Sequence, residues 1–274
     1  MNPTLPRLTL GVVIRFKNSA ATLPAVLTAL RRQTLQPDLI LGVNNQSADA
    51  SPEILRRAGA KIIAWTQPYS HPRVLNFALR HCPTDLVLVL SSHTVLQSPD
   101  AVEKLIAALH DPRTACASGK WDDDPFYTDA IDWGELQAKG LKFGSIYSNS
   151  MGLLRRSLWE QIPFSESVPT MEDCGWALEQ AKRGYLCRRV KFDFHYQRNS
   201  QDRVFIFAAL TFRLAAQHGL RVAWLGPRAS FAGLFRAGFQ ALRGRGPRSS
   251  QQALLHYDRL RAWAFGRYRR AMAE

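Results

Sequence analysis

Short apolar runs alternate with amphipathic segments along the first half of the chain. Four runs have the length of strands, and the segments between them repeat apolar residues every three or four positions, as a helix face does. The predicted strands are Leu8–Ile14, Leu39–Val43, Lys61–Trp65 and Asp85–Leu90, and the predicted helices are Leu23–Leu30, Pro52–Ala58, Arg73–His81 and Pro99–Leu109. Such strand–helix units predict an α/β fold with a mostly parallel central sheet flanked by helices.

The second half of the chain is less regular. We expect a polar loop, then two helices, a strand and a last helix, over Lys120–Asp129, Ala130–Lys139, Pro169–Lys182, Cys187–Phe194 and Gln201–His218. Gly184 is a plausible stop for the second of these helices.

Three polar turns follow three of the predicted strands: Arg15–Asn18, Asn44–Asp49 and Ser91–Thr94. Ligands of parallel sheets bind at the carboxyl ends of the strands. We therefore expect the three turns to meet at one ligand site. The sequence has no GxGxxG, no GxxxxGK[ST] and no GxSxG motif, so it lacks the phosphate fingerprints of dinucleotide and P-loop folds and the nucleophile elbow of α/β-hydrolases.

No segment has the features of a membrane span, a secretion signal or a disulfide framework. The longest almost purely apolar run, Val204–Phe212, is too short to cross a bilayer. The segment Met1–Thr9 has no charged start followed by an apolar stretch. The four cysteines form no CxxC pair and fit reduced core thiols. We expect a cytoplasmic protein.

Positive charge is concentrated at the C-terminus. The chain has a formal net charge of +14, and residues 200–274 contribute thirteen Arg against three acids, or 13 − 3 = +10. Apolar residues recur there at helical spacing, namely Phe231, Leu234, Phe235, Phe239 and Leu242, and Arg236 and Arg243 can lie off that face. A basic amphipathic helix is typical of binding to an anionic membrane surface. A core-packing helix with a solvated Arg face is the equal alternative, and we do not expect nucleic-acid binding.

Four segments in order resemble family 2 glycosyltransferases: Val12–Asn18 (VVIRFKN), Leu39–Ser51 (LILGVNNQSADAS), His71–Asn76 (HPRVLN) and Glu172-Asp173 before Gly184-Tyr185. The resemblance implies a GT-A fold over residues 1–199, with a helical, basic C-terminal extension over residues 200–274. It also implies transfer of a sugar from a nucleotide-sugar donor, with inversion.

The resemblance assigns roles to individual residues. Asp173 is the expected general base, with Glu172 beside it shaping the acceptor site. The expected donor-binding residues are Arg15, Phe16, Asn18, Asn44, Asp49, Arg73, Asn76, Ser91 and Ser92. For several of them the sequence leaves a structural role open, because Asn and Asp stabilise turns and acidic residues favour the first turn of a helix.

The family's metal motif is altered in this chain. Asn44 stands where an Asp is common, and the Asp-x-Asp after the fourth strand is Ser91-Ser92-His93. Some GT-A relatives use a His at the third position together with a distant second His, so His93 and His195 are the expected metal ligands. Imidazole favours Mn²⁺ over Mg²⁺, and Ser91 brings no carboxylate charge.

The sequence therefore predicts a glycosyltransferase acting at the inner membrane face on a glycan or lipid-linked acceptor, with a divalent metal as cofactor. Two alternatives stay open. One is a catalytically inactive relative that binds a nucleotide or a partner protein. The other is a polyanion-binding protein that acts through its basic tail.

Overall fold

The computed structural model describes residues 8–121, 125–142, 146–168, 170–197 and 204–223. The chain divides into two compact units. The first comprises residues 1–121, 125–133 and 144–198, and the second comprises residues 122–124, 134–143 and 199–274. The domain boundary expected after residue 199 stays a prediction.

Eight strands of the first unit form one mixed sheet, in the order β3-β2-β1-β4-β8-β6-β9-β7. They are β1 (Leu10–Phe16), β2 (Leu39–Asn44), β3 (Lys61–Ala64), β4 (Leu86–Ser91), β6 (Thr114–Gly119), β7 (Ala130–Ile131), β8 (Met151–Arg155) and β9 (Leu186–Val190). Strands β5 (Thr94–Leu96) and β10 (Phe194–Tyr196) form a separate antiparallel pair.

Helices cover the connections between the strands. They are α1 (Leu23–Arg31), α2 (Ser51–Arg57), α3 (His71–Arg80), α4 (Ala101–Ala108), α5 (Trp133–Lys139), α6 (Arg156–Gln161), α7 (Glu172–Lys182) and α8 (Val204–Gln217). The mixed α/β fold with a largely parallel sheet is confirmed, and the four strand–helix units of the first half lie where the hydrophobic pattern predicts them.

The sequence pattern missed several strands of the second half. β6 consists of small residues without a two-residue period, yet every residue in it is buried. β8 was read only as part of an irregular segment, although it pairs with both β4 and β6. The strand predicted over Cys187–Phe194 is divided between β9 and β10.

The sheet brings the ends of its central strands to one edge. Arg15 of β1 lies opposite Ser91 of β4, and Phe16 lies opposite Asn44 of β2. β8 is antiparallel to β4, so its first residue, Met151, pairs with Leu90 at the same edge. Five buried leucines and valines of β4 anchor this arrangement in the core.

The second unit contains α8 and most of α5. A bridge joins Leu141 to Val222, and the backbone N–H of Leu141 donates to the Arg221 carbonyl at 2.7 Å. None of the helices within the described ranges is long and apolar enough to cross a membrane. The predicted amphipathic segment around Phe231–Leu242 and the acidic run Asp122–Asp124 lie outside the described residues.

The Asn76 side chain of α3 forms hydrogen bonds to α6 and to the segment that follows it. Its side chain is 1% exposed. The Oδ1 atom accepts from Trp159 Nε1 and from the Phe164 backbone N–H, both at 3.1 Å, and Nδ2 donates to the Phe164 carbonyl and to Glu166. An amide group can donate two hydrogen bonds and accept two, and the Asn76 side chain makes all four within the protein. It therefore has no hydrogen bond left for the contact with the nucleotide sugar that the sequence suggested.

We predict that Asn76→Ala lowers the free energy of unfolding by about 2–4 kcal/mol, because two buried N–H groups lose their acceptor. Urea denaturation measures this loss. Arg73→Ala is the matched control on the same helix, since the Arg73 side chain is 45% exposed and its ion pair with Glu166 spans 3.8 Å. That control should cost about 1 kcal/mol or less. Equal losses in the two variants would contradict the structural role of Asn76.

Candidate active site

Arg15 lies at the centre of the sheet edge. Its side chain is half-buried, and Nη1 donates to His71 Nδ1 at 2.8 Å and to the Tyr69 hydroxyl at 3.3 Å. Among the described residues, no carboxylate lies within 4 Å of the guanidinium. Its charge nevertheless acts on Glu172, Asp173 and His93. Arg15 is therefore a half-buried cation without a close ion pair among the described residues.

Glu172 and Asp173 begin helix α7 and lie at the same edge of the sheet as Arg15. The preceding residue, Met171, has a left-handed backbone with φ 63°, a conformation that costs of order 1–3 kcal/mol and is frequent at functional sites. Glu172 is 4% exposed. Both acids also lie in the first helical turn, where the helix dipole favours negative charge.

The two carboxylates have different hydrogen-bond partners. Asp173 Oδ2 accepts from the Asn149 backbone N–H at 3.0 Å, and Oδ1 accepts from the Cys174 N–H at 2.8 Å. Glu172 Oε1 accepts from Asn149 Nδ2 at 3.3 Å. Hydrogen bonds to an ionised carboxylate stabilise its charge, so Asp173 is the better supported of the two as an anion.

Burial raises the pKa of both acids. The pKa of Glu172 rises to about 7, first because of burial and then because of the adjacent Asp173 charge, while Arg15 acts in the opposite direction. Burial also raises the pKa of Asp173, and the two backbone N–H donors and Arg15 oppose that rise. A carboxylate with a raised pKa is a stronger base than an ordinary one near neutral pH.

The predicted donor loops are held together by their own polar side chains. Asn18 Oδ1 accepts from the Ala48 N–H at 2.8 Å, and Asn44 Oδ1 accepts from the Ser47 N–H at 2.9 Å. Asp49 Oδ2 accepts from the Ala20 N–H, and its Oδ1 accepts from Ser51. These bonds fix the turns after β1 and β2 against each other at the edge.

Two other residues predicted to bind the sugar donor use their side chains in contacts within the protein. The Phe16 side chain is 3% exposed and belongs to the hydrophobic core. Arg73 lies between Glu166 and the Trp65 ring, whose centroid is 5.9 Å from its guanidinium carbon. Asn76 is also used inside the fold, whereas His71 of the same helix contacts Arg15 at the edge.

The Ser91-Ser92-His93 segment follows β4 into the site. Ser91 and Ser92 are buried, and Ser92 Oγ lies 3.0 Å from Ser19 Oγ. The His93 ring packs on Tyr196 at a centroid distance of 4.9 Å. Burial first, and the Arg15 charge second, lower the pKa of His93. Its imidazole is therefore neutral at pH 7, the form that can bind a metal.

His195 does not lie on the face of β10 that contacts His93. In β10, the flanking Phe194 and Tyr196 both pack on the Trp121 ring, at 5.2 and 5.0 Å. Side chains alternate along a strand, so His195 leaves the opposite side from the one that meets His93. Within the described part of the chain, no group of three or more His, Cys, Asp or Glu is arranged to hold a metal ion.

The structure adds four residues that the sequence analysis did not select: Tyr69, His71, Tyr147 and Asn149. His71 was quoted only as part of the HPRVLN segment, and no pattern shows that its ring meets Arg15. Tyr147 and Asn149 precede β8, the strand that the pattern missed. Correct assignment of β8 as antiparallel to β4 is the signal that would have brought Asn149 to this edge.

Comparison with protein families gives a match to the model described as "Glycosyl transferase family 2" over residues 11–164. This range is more than half of the chain and includes β1, β2, β4 and β8 of the candidate site.

Among curated proteins, the chain is similar to the O-antigen chain rhamnosyltransferase RfbN of Salmonella typhimurium, with 24% identity over 194 residues. The alignment covers 64% of this chain and 61% of the relative. The chain thus spans about three fifths of the length of that relative.

Two solved structures have similar folds. One is the mannosyltransferase PcManGT from Pyrobaculum calidifontis, in complex with GDP-Man and Mn²⁺, with a TM-score of 0.58, 18% identity and coverage of 98% of this chain and 76% of that one. The other is glucosyl-3-phosphoglycerate synthase from Mycobacterium tuberculosis with Mn²⁺, UDP and glucosyl-3-phosphoglycerate, with a TM-score of 0.60, 16% identity and coverage of 77% and 80%. These likenesses show the GT-A type of fold.

The raised pKa of Glu172 predicts a pH dependence of stability. The folded protein holds the Glu172 proton up to about pH 7, whereas the pKa of a free Glu side chain is 4.5. Between these values the folded state binds more protons than the unfolded state, so stability falls as pH rises. The loss should reach about 3 kcal/mol at most.

Glu172→Gln removes this titration, so the gain in unfolding free energy over the wild type should grow from pH 4.5 to about 7. Urea denaturation at a series of pH values measures it. An unchanged difference between the two proteins across this window would show that folding does not raise the pKa of Glu172.

Proposed function

Because the chain belongs to glycosyl transferase family 2, we propose that it moves a sugar from a nucleotide-diphosphate donor to an acceptor hydroxyl, with inversion at the anomeric carbon. One observation carries the proposal: the Asp173 carboxylate and the Arg15 cation meet at the same edge of the sheet. A base for the acceptor and a positive charge for the leaving group are the two groups that this transfer needs.

Asp173 is the general base of the proposed mechanism. It takes the proton of the acceptor hydroxyl while the acceptor oxygen attacks the anomeric carbon. The bond from that carbon to the phosphate oxygen breaks, and the nucleoside diphosphate leaves with the bonding electrons. Attack opposite the leaving group inverts the configuration. The Asn149 and Cys174 N–H groups, at 3.0 and 2.8 Å, orient the carboxylate for this step.

Arg15 is the proposed contact of the donor diphosphate. Its Nη1 is held by His71 and Tyr69, and the described residues offer no close carboxylate to compete with a phosphate. Guanidinium groups bind phosphate oxygens strongly because several N–H donors match them. The loops held by Asn18, Asn44 and Asp49, together with Ser91 and Ser92, border the proposed donor cleft.

A divalent metal, Mn²⁺ rather than Mg²⁺, is a further expectation of the family resemblance, and two relatives of this fold bind Mn²⁺. The residues of this chain fit such an ion only in part. His93 offers one neutral imidazole, His195 points away from it, and Ser91 and Ser92 bring no charge. In the proposed mechanism Arg15 balances the negative charge of the departing diphosphate.

The proposed acceptor is a glycan or a lipid-linked glycan. The relative named as an O-antigen chain rhamnosyltransferase supports a polysaccharide product. The +10 charge of residues 200–274 supports peripheral binding at the cytoplasmic face of the membrane, because each Arg near an anionic surface contributes about 1 kcal/mol. Nucleic acid is not a proposed partner.

We predict that Asp173→Asn lowers kcat about 10²–10⁴-fold, the usual contribution of a general base. Isothermal titration with the donor should give an unchanged dissociation constant, because the substituted side chain acts on the acceptor. Asp100→Asn is the matched control, since Asp100 is a surface acid paired with Lys104.

Turnover of the Asp173→Asn variant close to that of the wild type would remove Asp173 as the base. A wild-type protein that binds the donor but transfers nothing would favour the catalytically inactive relative, which the neutral Ser91-Ser92-His93 segment also fits.

A further inference from the structure

Asn149 contacts both carboxylates of the proposed site. It precedes β8, and its side chain is 2% exposed. The backbone N–H donates to Asp173 Oδ2 at 3.0 Å, and the side-chain Nδ2 donates to Glu172 Oε1 at 3.3 Å. Among the described residues, Glu172 has no other hydrogen-bond donor from a side chain. Asn149 thus connects the two carboxylates through its backbone N–H and its side-chain amide.

The Asn149 amide is held in an orientation that is costly for folding. Its Oδ1 atom is buried and has no hydrogen-bond partner within the described ranges. An unpaired buried acceptor of this kind is unfavourable for folding. A second cost, the left-handed backbone of Met171, lies at the start of the same helix. Unpaired polar atoms and backbone strain that persist together in a fold indicate a role in function.

The charges around Glu172 favour one proton on the pair of carboxylates formed by Glu172 and Asp173. Arg15 approaches from β1, Asp173 from the same helix, and Tyr147 and Asn149 from the segment before β8. Burial raises the pKa of Tyr147 well above its usual value, so its phenol is neutral. Arg15 is then the one cation among these groups, against two carboxylates. Two adjacent carboxylates in unequal surroundings titrate apart from each other.

We propose that Asn149 is a positioning residue that holds Asp173 as the ionised base and sets how firmly Glu172 keeps its proton. The inference rests on the proposed function, in which Asp173 accepts the proton of the acceptor hydroxyl. Glu172 keeps its own proton during the transfer, so the neighbouring base bears the only negative charge of the pair.

The test measures the protonation of Glu172 without turnover. Infrared difference spectroscopy of the full chain, titrated across neutral pH, follows the carbonyl band of a protonated carboxylic acid. Glu172→Gln identifies the band, since it removes that signal. Asn149→Ala removes the donor to Glu172 and keeps the backbone N–H on Asp173. Because an N–H donor stabilises the ionised form, the band of the variant should persist to higher pH than that of the wild type.

Ser150→Ala is the matched control, one residue along the same segment. The Ser150 side chain is half-exposed and makes no hydrogen bond to a described residue, and its backbone carbonyl accepts from Ser91. Its titration should coincide with that of the wild type. If Asn149→Ala does not fold, Asn149→Asp keeps the shape of the side chain while it removes the N–H and adds a negative charge. In that variant the Glu172 band should persist to a still higher pH than in Asn149→Ala.

A second readout uses the transfer reaction. Glu172 is already protonated over the range in which Asp173 titrates, so the acidic limb of the kcat profile should stay in place. The alkaline limb, where Glu172 ionises beside Asp173, should move to higher pH in Asn149→Ala. KM for the donor should stay within about twofold, which is less than 1 kcal/mol. In the Glu172→Gln background, Asn149→Ala should cause no further movement of the alkaline limb.

An infrared titration of the Asn149 variants that coincides with the wild type, or an equal shift in Ser150→Ala, would overturn the role of Asn149. Absence of transfer by the wild-type chain with every nucleotide sugar would instead count against the proposed function. The infrared titration decides about Asn149 in either case.

Discussion

Glu172 is buried beside the half-buried Asp173 at the start of α7, and this arrangement depends on the surrounding N–H donors and on the positive charge of Arg15. Moving one charged group out of water costs several kcal/mol even after the protein relaxes. Glu172 and Asp173 offset part of that cost through the Arg15 charge and part through N–H donors. The remainder is relieved by protonation, which is why the Glu172 pKa lies near neutrality.

The position of Arg15 follows from the sheet. β1 lies between β2 and β4 in parallel register, so the end of β1 is at the middle of the edge and Arg15 lies level with Ser91. The loops on both sides are fixed by Asn18, Asn44 and Asp49. The antiparallel strand β8 then brings Asn149 to the same edge from the opposite chain direction. The positions of Arg15, Asn149 and the polar loops are therefore consequences of one topology.

The first half of this architecture could be predicted from the sequence, and the second could not. β1 and β4 are apolar runs followed by polar turns, a pattern that directly indicates buried parallel strands. β6 is built of small residues and β8 spans only Met151–Arg155, so neither carries a distinct period. The fold buries them because neighbouring strands and helices pack against them, which is information about tertiary packing.

The sequence also predicts the place of some candidate site residues and not of others. Arg15, Glu172 and Asp173 stand next to clear element boundaries, and the sequence pointed to them. Phe16 and Asn76 also belong to matching motifs, yet one packs in the core and the other fastens a distant segment. A motif specifies neighbours along the chain, whereas the direction of a side chain depends on which strand it faces.

The central claim, that Arg15 binds the diphosphate of a nucleotide sugar at this edge, is tested most directly by thermal unfolding with a panel of nucleotide sugars. Wild-type chain and Arg15→Gln would be compared, with Mn²⁺ or Mg²⁺ present. A donor at 100 times its dissociation constant adds about 2.7 kcal/mol, which corresponds to a Tm rise of about 5–10 °C. We expect this rise for one nucleotide family in the wild type and its loss in Arg15→Gln. No rise with any donor, or an equal rise in both proteins, would contradict the account.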